Sequence, residues 1–241
     1  MLTDSKYFVP SFHFDLNQPC YCGSQQAFGT CCAEPSSQPK FIYVVPDFLS
    51  STDCKRFIRF AEKQKKHSLT VVANQNVGDK TVKRHASRVS EQIDMGKKRP
   101  LAIEWMQRAC LEHVKPNFRA IPEWFETPQL LHYGPGGKYD MHSDSDHFCV
   151  SSRRFHRFID RDFSLLIYLN DDYEGGELKF NGLNYRYTPK AGDLVMFPAG
   201  HIFSHQAEPV TRGKKYALVS WGAFRGTPRV ARPSSCHPIK V

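Results

Sequence analysis

The 241-residue chain has no stretch approaching the roughly 20 uninterrupted apolar residues that a membrane-spanning helix needs. Its first residues, MLTDSKYFVPSFHF, lack the basic start and apolar run of an export leader. The protein is therefore expected to be soluble and to stay in the cytoplasm, with no membrane partner. No internal repeat is visible. Acidic residues are in short supply, 24 against 33 basic ones, for a net charge of +9. That sign permits nucleic acid or acidic protein as a partner without naming either, and a solvated basic surface accounts for it equally well. Without an export leader the eight cysteines are expected to meet reducing conditions, which excludes a disulfide framework.

What the chain does contain is enough apolar material for a core. Hydrophobic residues make up 40% and charged residues 24%, so wholesale disorder is excluded. Eighteen Phe and ten Tyr favour a β-rich interior, because rings pack well on pleated surfaces. Residues 1–40 show no lasting periodicity and end in a linker composition, EPSSQPK. FIYVVPDFLS (41–50) predicts a strand entering the main domain. Ser50 or Ser51 predicts a helix cap, with Asp53 in the first turn and Cys54, Phe57, Ile58 and Ala61 on one apolar stripe. A second helix is expected over 99–114, with Pro100 in its first turn and Ile103, Met106, Cys110 and Val114 as its stripe. Between the helices, 67–96 reads as strands around a loop. From 128 onward short strand-like runs are separated by Gly, Pro, Asn and Asp. The expected class is α+β, mainly β: a barrel or jelly-roll core flanked by helices. Three regions follow: 1–40, a main domain over 41–225, and a loose basic tail over 226–241.

Four cysteines crowd together at the start, whereas Cys54, Cys110, Cys149 and Cys236 are scattered like ordinary small hydrophobes. Cys20 and Cys22, then Cys31 and Cys32 after eight residues, offer four soft ligands for a tetrahedral zinc ion. A segment this short has no core of its own, so the metal would supply its folding energy. Four thiolates also close the coordination sphere, which points to structural zinc. PCYCGSQQAFGTCC further resembles the SEC-C zinc motif over about 19–33. That resemblance implies a protein- or ribosome-facing appendage and a contact with the translation machinery.

His142-Ser-Asp144 forms a second cluster. Residues two apart on a strand share a face, so the imidazole and the carboxylate can reach one metal together. His205 can bring a third ligand across a barrel, and two His with one carboxylate suit oxygen-activating iron(II). On spacing alone an ordinary core or surface histidine is the better reading of each.

The context is more specific. QLLHYGPGGKYDMHSD (129–144), RDFSLLIYLN (161–170), EGGEL (174–178), PKAGDLVMF (189–197) and HQAEPVTRGKKY (205–216) occur in this order. Together they resemble the prolyl 4-hydroxylase-type 2-oxoglutarate and Fe(II) oxygenases over roughly 40–225. The resemblance implies a double-stranded β-helix and a procollagen-proline 4-dioxygenase-like enzyme that hydroxylates a prolyl residue of a protein or peptide. Turnover would be coupled to decarboxylation of 2-oxoglutarate to succinate and CO2, with ascorbate as reductant. It implies His142, Asp144 and His205 as iron ligands and Lys215 as the partner of the cosubstrate's distal carboxylate. It implies Tyr133 and Tyr168 as cosubstrate contacts, Arg161 as a catalytic and substrate-contacting residue, and Tyr139 and Trp221 as substrate-facing walls. Arg88-Val-Ser90 resembles the end of the family's substrate-covering finger. The insertion between Asp144 and Arg161 is basic and aromatic, which suits a role in choosing partners.

Three other readings remain open at this point. A nucleic-acid-directed oxygenase of the same fold would use the basic charge. A non-catalytic adaptor would dock through the zinc knuckle and carry an inert barrel. A zinc hydrolase could use the same two His and one Asp, but it leaves Lys215 and the two tyrosines without a role.

Overall fold

The computed structural model describes residues 15–34, 38–77, 80–149 and 151–240, those of 70–77 and 80–86 for their backbone alone. The first 14 residues of the expected knuckle region, linker positions 35–37 and positions 78–79, 150 and 241 lie outside the described residues.

The first strands in chain order are β1 (Tyr43–Val45), β2 (Lys66–Val77), β3 (Lys80–Ile93), β4 (Pro122–Glu126), β5 (Gln129–Tyr133) and β6 (Lys138–His142). They are followed by β7 (Asp146–Cys149), β8 (Arg154–Arg157), β9 (Phe163–Tyr168), β10 (Glu174–Gly175), β11 (Leu178–Phe180) and β12 (Tyr185–Tyr187). The last are β13 (Leu194–Pro198), β14 (His205–Ala207), β15 (Val210–Arg212), β16 (Lys215–Phe224) and β17 (Cys236–Pro238). One antiparallel sheet runs β1-β13-β9-β16-β5-β3-β6-β14-β11-β12, with β4 also on β16. Ala207 of β14 and Leu166 of β9 lie far apart along that path yet share one apolar cluster. The sheet therefore curls back on itself, as the jelly-roll expectation requires.

Alternation along the strands divides the sheet into two faces. Phe163, Leu165 and Ile167 of β9, with Tyr216 and Leu218 of β16, pack outward against two helices. Ser164, Leu166 and Tyr168, with Lys215, Ala217, Val219 and Trp221, point the other way, into the barrel. The helices are α1 (Ser51–Ala61) and α2 (Arg99–Ala109). Cys54, Phe57 and Ala61 of α1 meet Ala102, Trp105, Met106 and Ala109 of α2, and the rings of Phe57 and Trp105 lie 5.1 Å apart. Burying this stripe is what fixes both helices on the sheet.

Ser50 caps α1, its Oγ accepting from the backbone N–H of Asp53 at 3.0 Å. Ser50→Ala is expected to lower stability by about 1 kcal/mol, read as a shift in the urea midpoint with the slope unchanged.

Several sequence expectations are corrected. The 41–50 strand shrinks to Tyr43–Val45, because the chain turns at Pro46 and Asp47 before α1. The second helix does not stop at 114. It widens into a π turn at Cys110–Val114, just before Pro116 with its missing amide proton, and continues to Phe118. Left-handed Arg119 ends it, at φ 51°. The tail is not loose. β17 pairs with β4, Ile239 is buried in the main core, and Asp160 Oδ1 accepts from the amides of Val230 and Ala231 at 2.7 and 3.3 Å. The insertion after Asp144 forms a hairpin of its own, β7 with β8.

Candidate active site

The antiparallel pairing of β6 with β14 sets His142 directly opposite His205. β6 ends at His142, so Asp144 is not on the strand as the H-x-D spacing predicts. A turn holds it instead: the amides of Asp144 and Ser145 and the hydroxyl of Ser143 all donate to the carbonyl of Ala199, at 3.2, 3.1 and 3.1 Å. The Nε2 atoms of His142 and His205 lie 3.5 and 3.7 Å from the two carboxylate oxygens of Asp144.

Each imidazole is held at its far nitrogen by a backbone carbonyl. His142 Nδ1 lies 2.8 Å from the oxygen of Asp140, and His205 Nδ1 lies 3.0 Å from that of Phe203. A carbonyl only accepts, so each Nδ1 carries a proton and each Nε2 is turned toward Asp144. Burial and then His142 push His205 down to about 4, against the opposing pull of Asp144. Burial works against the ionised form of Asp144, but His205, His142 and Arg161 outweigh it and hold the carboxyl well below its usual range. Two imidazoles and an ionised carboxylate are the donor set a divalent metal takes.

Asp144 has support that the sequence reading did not foresee. Ser164 Oγ donates to its Oδ2 at 2.6 Å, and Arg161 Nη1 donates to its backbone oxygen at 3.1 Å. Arg161 is in turn gripped by Glu126 through two hydrogen bonds of 2.5 and 2.9 Å, and its guanidinium stacks 4.0 Å from the ring centre of Trp221. The structure thus places Arg161 beside the Asp144 turn, engaged by protein groups. Glu126→Ala would leave this cation half-buried and unpaired, a change that costs about 3 kcal/mol at comparable sites. Chemical unfolding should show a loss of that order, with Glu126→Gln milder.

The cleft beside the triad is lined by Arg88, Tyr133, Tyr139, Tyr168, Lys215 and Trp221 together with apolar residues of β5, β9 and β16. Five of the six predicted site residues outside the metal triad therefore converge there, and Arg161 stands behind Trp221. Lys215 is buried, 5.4 and 5.2 Å from the ring centres of Tyr133 and Tyr168, and donates to the carbonyl of Gly176 at 2.5 Å. Burial pushes its ammonium down to about 7, opposed by Glu177. Among the described residues no carboxylate forms an ion pair with it. Tyr168 Oη is buried without a hydrogen-bond partner. A poorly compensated cation and an orphaned hydroxyl on one wall fit an anionic ligand with several acceptor oxygens. Tyr139 lies flat on His142, 3.6 Å between ring centres, and Arg88 sits 4.7 Å over Tyr139.

At the other end of the chain, one sulfur from each of Cys20, Cys22, Cys31 and Cys32 lies within 4.8 Å of the others, with Cys22 and Cys31 at 3.6 Å. A tetrahedral zinc with bonds of about 2.3 Å needs sulfurs roughly 3.8 Å apart, so the cluster fits zinc. Burial pushes Cys20 up to about 12, while at Cys22 burial is outweighed by Ser24 and the neighbouring thiols, which hold it near 6. A bound cation would level that difference.

Sequence reasoning missed Ser164 and Glu126. Ser164 alternates with buried Phe163 and Leu165 and so had a periodicity signal. Glu126, 35 residues from Arg161 in the chain, had none.

Comparison with known proteins gives a consistent picture. Residues 128–223 match the 2OG-Fe(II) oxygenase superfamily, and residues 17–34 match the SEC-C motif. The chain is 29% identical over 207 residues to a "Putative prolyl 4-hydroxylase" of Acanthamoeba polyphaga mimivirus, covering 78% of this chain and 75% of that one. It is 33% identical over 135 residues to a PKHD-type hydroxylase of Synechococcus sp. (strain JA-2-3B'a(2-13)), covering 55% and 58%. It thus spans little more than half the length of that cyanobacterial relative. Among solved structures, a viral collagen prolyl hydroxylase from Paramecium Bursaria Chlorella virus-1 superimposes with a TM-score of 0.52 at 22% identity, over 76% of this chain and 97% of that one. At that identity the likeness bears on the fold.

Proposed function

We propose that the protein hydroxylates a prolyl residue of a protein or peptide while converting 2-oxoglutarate to succinate and CO2, a reading supported by the match of residues 128–223 to the 2OG-Fe(II) oxygenase superfamily. The observation that carries this reading is one cleft holding both a His-Asp-His donor set and a buried lysine. In this reading His142, Asp144 and His205 hold iron(II) on one face. Lys215 takes the distal carboxylate of 2-oxoglutarate, and the hydroxyls of Tyr168 and Tyr133 complete its hydrogen bonding.

Iron, dioxygen and the cosubstrate together supply the oxidising chemistry. The chain's own work is positional. The carbonyls of Asp140 and Phe203 fix the Nδ1–H of both imidazoles and aim their Nε2 atoms. Ser164 and the Glu126–Arg161 pair hold the Asp144 turn. Tyr139 and Trp221 form aromatic walls suited to a prolyl ring and exclude water from the reacting centre.

The prolyl assignment is supported by the likeness to the mimivirus putative prolyl 4-hydroxylase together with those walls. The proposed catalytic unit runs over 41–225, with the described part of the tail, 226–240, packed onto it and the zinc-binding segment ahead of it. Ascorbate as reductant, a cytoplasmic setting and a substrate in the translation machinery complete the reading. Among the described residues no helix is long and apolar enough to cross a membrane.

The test is turnover with iron(II), 2-oxoglutarate and a panel of proline-containing peptides. Succinate release that rises with one peptide, matched by an added oxygen on its proline in mass spectra, is the expected result. Succinate release with no oxygen on proline in any peptide would overturn the prolyl assignment while leaving the oxygenase intact.

A further inference from the structure

The SEC-C resemblance implies an appendage turned toward a partner, yet the described cysteine segment is built into the barrel. Cys20, Phe28, Cys32 and Ala33 are buried in the same apolar cluster as Tyr168, Leu178, Phe180, Phe197 and Phe203. The ring of Tyr21, between two of the cysteines, meets the edge of Phe203 at 5.6 Å and 84°, and its hydroxyl donates to the carbonyl of Lys40 at 3.2 Å.

Phe203 has a second job. It ends the short helical turn His201–Phe203, and its carbonyl is the acceptor that holds His205 Nδ1. Besides His142 at 4.4 Å, the rings packed on His205 are Phe197 and Phe180, at 4.7 and 5.7 Å, both members of the cluster that takes in the cysteine segment. His142 is held differently, by Asp140 on its own strand. Of the three triad side chains, His205 is therefore the one whose orientation depends on what packs at the N-terminal segment.

From this we infer that the four-cysteine knuckle is a brace for the barrel's metal centre, with Tyr21 and Phe203 as positioning residues that set the ring of His205. Zinc at the cysteines fixes Tyr21, Tyr21 fixes the turn at Phe203, and the carbonyl of Phe203 fixes the tautomer and direction of His205. Outer groups that orient a metal-binding histidine typically contribute 10- to 100-fold in metal affinity. One step further out, an effect of about tenfold is expected. The inference rests on the metal-centre reading of His142, Asp144 and His205.

The experiment is an anaerobic cobalt(II) titration of full-length protein that already holds one zinc per chain, with no 2-oxoglutarate present. Cobalt at a nitrogen–oxygen site gives visible bands distinct from the sulfur-to-metal absorption it would give at the cysteines. Tyr21→Ala should weaken cobalt binding at the barrel about tenfold, and Tyr21→Phe, which keeps the ring, should restore it. The exposed Leu16→Ala should leave it unchanged, and His205→Ala should remove the barrel bands. If Tyr21→Ala does not fold, Phe203→Leu serves instead, because it keeps an apolar side chain and the carbonyl but loses the ring contact. Wild-type affinity in folded Tyr21→Ala or in Phe203→Leu would overturn the inference. A wild-type protein with no barrel bands at all would instead count against the metal-centre reading itself.

Discussion

Asp144→Ala protein is expected to lose iron(II) binding by more than about 100-fold, beyond the range seen when only the surroundings of a ligand are changed, and to show no turnover. Asp144 faces both imidazoles at 3.5 and 3.7 Å and is the one acidic group of the set. Removing it leaves two neutral imidazoles, which neither balance a divalent charge nor define a face. The fold should survive. Asp144 sits in a turn whose backbone is held independently by Ala199, and its carboxylate contributes one hydrogen bond, from Ser164. Circular dichroism and the thermal midpoint should stay near wild type while iron uptake disappears. Iron-dependent activity retained by this variant would defeat the ligand assignment.

Lys215→Ala is expected to raise the KM for 2-oxoglutarate by roughly 10- to 150-fold, the range for losing one charged hydrogen bond in a buried site. A pH dependence accompanies it. In the free protein burial brings the ammonium down to about 7, so the charged form that would grip a carboxylate predominates only below that value. Cosubstrate affinity should fall as pH rises above about 7, and binding in that range should take up a proton. The same shift acts on stability with a definite sign. Between pH 7 and the ordinary lysine value of 10.5 the unfolded chain binds more protons than the folded one. Stability from this group therefore rises with pH across that window, and its penalty is fully present below 7. A KM for 2-oxoglutarate that is flat from pH 6 to 9 in wild type, and unchanged by Lys215→Ala, would remove Lys215 from the cosubstrate site.

Local features of the chain were readable in advance because local physics sets them. The cap at Ser50 and the stripe of Cys54, Phe57 and Ala61 are decided within one or two turns of helix. The cysteine spacing is decided within thirteen residues. The inward face of β16 follows from alternation once Lys215 is placed. What was not readable depends on distant pairing. The grip of Glu126 on Arg161 appears only when β4 lies beside β16, and the docking of the tail only when β17 adds to β4. A run as polar as GTPRVARPSS carries no periodicity, although Asp160 and Thr127 hold its backbone and side chains. Asp144 shows the same limit. Strand alternation predicts that it shares the face of His142, but it gets there from a turn fixed by Ala199, 55 residues away.

The central claim, a metal and 2-oxoglutarate bound together in one cleft, is tested most directly by the visible absorption of the anaerobic protein on adding iron(II) and 2-oxoglutarate. The account predicts a charge-transfer band in wild type that is lost in Asp144→Ala and weakened in Lys215→Ala. No band in wild type, with metal retained at the four cysteines alone, would contradict it.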